Sequence, residues 1–136
     1  MSPLTCSLTI FLFLFAVNAQ YTYFDVSGVL ICPFNAPYRE VRLMEIDSWP
    51  SKNEPVSDWV ASISLRPPHK FHVKGKQFDD PGSEFEMELW IRHNCTDRGN
   101  TMELHYDMGD FKIASSEDIT YTKIYEIDIY NKGEED

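Results

Sequence analysis

Positive charge is scarce in this chain. Its 136 residues carry 12 lysines and arginines against 22 aspartates and glutamates, a formal net charge of −10. That balance repels phosphate backbones and anionic bilayer surfaces, so nucleic acid and acidic membranes are disfavoured partners. Cysteine is scarce too, with three in all. No long stretch has clean helical periodicity, which argues against a helical bundle. The nucleophile elbow G-x-S-x-G and the zinc-protease pattern H-E-x-x-H are both missing. These absences remove the commonest signs of a hydrolase or metalloprotease, and no enzyme, metal or cofactor is expected.

Long apolar runs are missing with one exception. "LTIFLFLFAV" has no charge, is too short to span a bilayer, and leads into Val17-Asn18-Ala19. Small residues there suit a signal peptidase, so residues 1–19 read as a secretory signal cut before Gln20, although a basic leader is lacking. The cut removes Cys6 and no charged residue. Cys32 and Cys95 remain, and in an oxidising compartment one disulfide is the default. The expected product is secreted and does not span a membrane.

From Gln20 onward the chain is a series of short alternating segments. Strands are expected at 24–32, 39–47, 59–65, 71–75, 85–93, 101–108, 111–113 and 121–130. "PFNAPY" (33–38) suggests a hairpin between the first two, and "DDPGSE" (79–84) suggests a type II turn. The run at 59–65 is ambiguous between helix and strand and is read as strand because "RPPHK" stops it. Residues 20–130 thus form one β-rich domain, and the charged tail 131–136 is expected to be loose.

"FEMELWIRHNCTD" (85–97) raises the sharpest chemical question. Alternation places Phe85, Met87, Leu89, Ile91, His93 and Cys95 on one face, and Glu86, Glu88, Trp90, Arg92 and Asn94 on the other. Val26, Gly28, Leu30 and Cys32 share a face by the same count. Two inward cysteines at strand ends suit an internal disulfide. His93 and Cys95 could instead ligate a metal, but His69, His72 and His105 repeat no ligand spacing. Asn94-Cys95-Thr96 is a glycosylation acceptor with Asn94 facing water. Trp90, flanked by Glu88 and Arg92, is the candidate partner contact, set against the plainer reading that a loop covers it. The acidic turn of Asp79, Asp80 and Glu84 is a second candidate, and it lacks EF-hand spacing for calcium.

Taken together these segments resemble the nematode transthyretin-like family. "VSGVLICPFNAPYREVRLMEID" looks like that family's opening hairpin, "KFHVKG" like its F-x-V-x-G strand, "ELWIRHNC" like its apolar-x-I-x-H-x-C element, and "KIYEIDIYN" like its closing strand. The resemblance implies a secreted Greek-key β-sandwich of seven or eight strands with no established common activity. Members are proposed to bind or bridge extracellular partners. The family usually carries two further cysteines that this chain lacks, and their joint loss implies that Cys32 pairs with Cys95. Arg66-Pro67-Pro68-His69-Lys70 replaces the family's usual turn, so that loop is expected to differ in shape. The expected function is an extracellular binding protein whose partner is a protein or cell-surface ligand. Two alternatives are a carrier of a small apolar ligand between subunits and a hydroxyisourate hydrolase. The second lacks its Tyr-Arg-Gly-Ser ending here, since this chain ends "YNKGEED".

Overall fold

The computed structural model describes residues 20–35, 37–47, 52–62, 64–78 and 84–135. The expected signal (1–19) and residues 79–83 of the expected turn lie outside them. Among the described residues there are nine strands and no helix. They are β1 (Thr22–Ile31), β2 (Arg39–Glu45), β3 (Glu54–Pro55), β4 (Val60–Ala61), β5 (His69–Gln77), β6 (Glu84–His93), β7 (Met102–Lys112), β8 (Ile119–Asp128) and β9 (Glu134–Glu135). The expected count of seven or eight becomes six long strands and three of two residues each. With no helix among the described residues, none is long and apolar enough to cross a membrane.

The strands make an all-β sandwich. One sheet runs β5–β1–β8, and the other runs β3–β2–β6–β7–β9 with β4 also on β2. Alternation decides which side chains meet between the sheets. Phe24, Val26 and Leu30 of β1 and Phe71 and Val73 of β5 are buried against Val41 and Leu43 of β2 and Phe85, Met87, Leu89 and Ile91 of β6. Phe24 meets Phe111 edge-on with ring centroids 5.3 Å apart, a favoured aromatic geometry. In β6 the expected parity holds through Cys95, which is fully buried.

Several local expectations are corrected. β1 and β2 do not form a hairpin. They lie in different sheets, β1 between β5 and β8 and β2 beside β6. The intervening segment, with Pro33 and Pro37, is no two-residue hairpin turn, and each strand buries its apolar face by crossing the sandwich rather than by pairing with the other. Among the described residues of the run at 59–65 only Val60–Ala61 is strand, and Trp59 lies outside it, over Arg42 and Arg92. The segments at 101–108 and 111–113 are one strand with a bulge. Met87 opposes Gly109 while Glu88 opposes Asp107, which leaves Met108 as the extra residue. Gly109 takes φ 89° there, and its N–H donates to Asp107 Oδ1 at 2.8 Å. The tail is not loose through its described length, because Glu134 and Glu135 pair with Glu103 and Met102.

Candidate functional site

The register of the larger sheet gathers the candidate contact residues on its outer surface. Trp90 stands between Arg42 on β2 and His105 on β7, and Arg92 stands between Glu40 and Glu103. The Trp90 and His105 rings stack with centroids 4.0 Å apart and planes 5° from parallel. Trp90 Nε1–H donates to Glu88 Oε1 at 2.9 Å. Arg92 Nε–H donates to Glu103 Oε2 at 2.9 Å, and its Nη1 lies 3.6 Å from Glu40 Oε1. Glu103 also holds His105 Nε2 at 2.8 Å. Burial pushes the Glu103 carboxyl upward, but hydrogen bonds from His105 and Arg92 outweigh it and hold the pKa below the usual value.

Trp59 completes this surface from the segment between β3 and β4. The Arg92 guanidinium carbon lies 4.2 Å from its ring centroid and that of Arg42 lies 5.6 Å away, within cation–π range. Trp90 is half-buried rather than free. The expected trio of Glu88, Trp90 and Arg92 is therefore brought together, but as part of a larger array with Glu40, Arg42, Trp59, Glu103 and His105. Alternation assigns outward faces one strand at a time. Only the pairing register says that these residues meet.

The His93–Cys95 question resolves into structure. Cys32 and Cys95 are bonded, with Cα atoms 6.1 Å apart. His93 is fully buried, its Nδ1 accepting from the Cys95 N–H at 3.0 Å and its Nε2 lying 2.8 Å from the Lys132 carbonyl. An Nδ1 that accepts and an Nε2 that donates fix the neutral tautomer. Burial away from water lowers the His93 pKa, and the bond to the Lys132 carbonyl opposes that shift only in part. Both ring nitrogens are thus committed, and the imidazole ties the end of β6 to the segment after β8. Nearby, Tyr130 donates to Asp97, Asn131 Nδ2 donates to the same carboxylate at 3.1 Å, and the Asn131 N–H reaches the Cys95 carbonyl at 2.9 Å.

This clamp has a pH signature. The unfolded chain's histidine takes up its proton near pH 6.5, whereas buried His93 resists it to lower pH. Below about pH 6.5 the unfolded state therefore binds more protons, so stability falls as pH drops until His93 itself titrates in the folded state. The expected contribution is a loss of up to about 1.4 kcal/mol per pH unit in that window. Substituting His93→Ala should cost about 2–4 kcal/mol at pH 7, since it strands a buried N–H and a carbonyl, and should flatten this part of the profile. Urea midpoints at about pH 7.5 and 5.5, on either side of the unfolded-state pKa, check both. An equal pH response in wild type and variant would refute the assignment.

Asn94 is half-buried at the end of β6, and its Oδ1 accepts from the Tyr38 N–H at 2.7 Å. Thr96 is buried, with its hydroxyl on Asn100 Oδ1 at 2.6 Å. Glu84 of the acidic turn is exposed at the start of β6. A carboxylate cluster that the sequence does not suggest is formed by Glu45, Asp47 and Glu54, whose oxygens lie within 4.8 Å of one another. Gln77 Nε2 donates into it, to Glu45 Oε2 at 2.5 Å and Glu54 Oε2 at 3.1 Å, which offsets the mutual repulsion. A second cluster invisible in the sequence is buried. Arg39, 1% exposed, donates to the Pro37 carbonyl and to the hydroxyls of Ser62 and Ser64, and Ser64 Oγ also meets His69 Nδ1 at 2.9 Å. His69 Nε2 in turn holds the Phe34 carbonyl at 2.8 Å. This network fixes the loop that carries Pro67 and Pro68. Burial lowers the Arg39 pKa.

No family model, curated protein or solved structure matches this chain.

Proposed function

We propose that this protein is a secreted binding module of the transthyretin-like type, without catalysis, for an extracellular protein or cell-surface ligand. The observation that carries the reading is the ordered array on the outer face of the larger sheet. Trp90 is held by His105 and Glu88, and Trp59 by Arg92 and Arg42. Aromatic side chains already fixed by their neighbours lose little freedom on docking, so more of the contact energy appears as affinity. The inter-sheet disulfide supports the same reading, because it is compatible with an oxidising compartment. Asn94 at the strand end is the proposed glycan site, beside the array rather than within it.

The test uses full-length protein expressed in a secreting eukaryotic host. The product is expected in the medium, beginning at Gln20, and an N-glycosidase should lower its mass and convert Asn94 to aspartate. Immobilised wild-type protein should capture a partner from extracellular fluid that a Trp59→Ala/Trp90→Ala variant retains about ten-fold less well, or worse. Retention of the protein inside the cell sinks the secreted reading. Equal capture by the folded variant sinks the contact face.

A further inference from the structure

The smaller sheet carries an opposite electrostatic feature. Lys70, His72, Lys74 and Lys76 alternate along β5 and are all exposed. Successive members of such a row stand roughly 6.6–6.8 Å apart, so the row runs about 20 Å along the edge of a chain whose net charge is −10. A cleft of about 510 Å³ opens at its end, lined by Tyr23, Arg42, Ser57, Asp58, Lys74 and Lys76 among others. Its origin is local. At Gly75 an added Cβ would lie 2.6 Å from the Val56 carbonyl oxygen, so glycine lets the segment before β4 rest directly on β5. That segment holds Arg42, whose Nε–H donates to the Ser57 carbonyl at 3.0 Å. Cations from two sheets thereby reach one cleft.

The opposing charges on the row's own face are few, although the Glu45–Asp47–Glu54 cluster lies beside the cleft end of the row, held by Gln77, whose side chain alternates to the other face from Lys76. Asp25 on β1 meets His72 at 2.5 Å and Lys74 at 3.9 Å, and Asp58 lines the cleft. Glu126 and Asp128 lie on β8, beyond β1. Two strand spacings put them roughly 10 Å away, beyond the screening length of about 8 Å at physiological salt. Lys76 sits over the Tyr21 ring, 4.9 Å from its centroid.

We propose that β5 and the Arg42–Lys74–Lys76 cleft bind a linear sulfated polysaccharide. The chain would lie along the row with one sulfate seated in the cleft. Lysines on an edge strand also deter edge-to-edge pairing, but that role does not require Arg42 to join them from the other sheet. A thin polyanion can follow the row while its flanks avoid the acidic remainder. A broad anionic bilayer would meet that remainder and be repelled. The proposal adds to the extracellular reading a second surface that shares Arg42 with the first, and an in vitro binding test with variants confined to β5 stands apart from that face and from whether the chain is secreted.

Full-length folded protein is titrated with a size-defined heparin oligosaccharide at about 0.15 M salt, where distant charges are screened. Binding is expected, and the Lys70→Gln/Lys74→Gln/Lys76→Gln variant should bind about ten-fold more weakly, or worse, with an unchanged melting temperature. Its plot of log affinity against log salt should be shallower by about two, near 0.7 for each charge removed. Asp25→Asn removes the carboxylate that competes for His72 and Lys74 and should tighten binding. Absence of wild-type binding, an unaffected triple variant, or equally tight binding of a single-stranded oligonucleotide of the same charge would overturn the assignment.

Discussion

Replacing Gly28 with alanine is expected to destabilise the domain by at least about 3 kcal/mol. Gly28 lies in the middle of β1, opposite Phe71 on one side and Tyr125 on the other. Its φ of 151° is a backbone state that L side chains rarely adopt. A Cβ built there would stand 1.8 Å from the Tyr125 carbonyl oxygen, with the Tyr125 backbone carbon and nitrogen at 2.8 and 2.9 Å. Backbone atoms of a paired strand do not rotate away, so relief requires β1 and β8 to separate. In its sheet β8 pairs with β1 alone, and it carries buried Ile127, with Ile129 just beyond its end. Gly109→Ala is the matched control, since that glycine has φ 89° but nothing within 4 Å of the added atom. Strain alone there should cost about 1–2 kcal/mol. Denaturant unfolding of both variants tests the steric account, which fails if Gly28→Ala costs no more than Gly109→Ala.

Alternation makes the interior legible. Phe85, Met87, Leu89, Ile91, His93 and Cys95 are all buried, as their parity requires, and so are Val26, Leu30 and Cys32 on or next to β1. Side-chain period is a local property, so it survives ignorance of the fold. Pairing is not local. The expected hairpin at 33–38 treats neighbours in sequence as neighbours in space, whereas β1 takes its partners from β5 and β8. The break expected between 108 and 111 has a similar cause. Asp107-Met108-Gly109-Asp110 has turn composition, but one extra residue and a positive-φ glycine build a bulge that leaves the strand continuous.

The candidate contact face is legible in the sequence only as fragments. Glu88, Trp90 and Arg92 stand out because an aromatic between charges on one strand face is visible in any alternating run. His105 and Glu103, which stack on and bind them, sit in a segment whose register is undefined until β6 and β7 are paired. Alternation assigns Trp59 to a strand, yet it lies over two arginines outside the sandwich. The row on β5 is hidden for a different reason. In "FHVKG" the local signal is the apolar pair Phe71 and Val73, and the lysines around them become informative only with Arg42 on the same cleft.

Loss of the Cys32–Cys95 bond should produce the largest effect. Cys32 follows β1 of one sheet and Cys95 follows β6 of the other, so the bond joins the two layers at one end of the sandwich. The bonded residues are 63 apart in sequence. Opening a loop of that length relaxes the unfolded chain by about 4 kcal/mol on the chain-entropy account. Stabilities of single domains are typically about 5–15 kcal/mol, so this is a large share of the whole. Both cysteines are buried, 4% and 0% exposed, and the Cys95 carbonyl and N–H are engaged by Asn131 and His93. Reduction therefore leaves the local backbone bonds available in the folded state and acts mainly through the unfolded one. A Cys32→Ala/Cys95→Ala variant should lose the same loop constraint plus the packing of two sulfur atoms, and should melt slightly below the reduced wild type. For a domain of this size the expected fall on reduction is on the order of 15 °C. Calorimetry of oxidised, reduced and doubly substituted protein checks the order, and thiol titration checks the bond. Two titratable thiols in unfolded protein from an oxidising host, without reductant, would remove the bond, and a shift of a few degrees would mean that the loop closure does not constrain the unfolded chain.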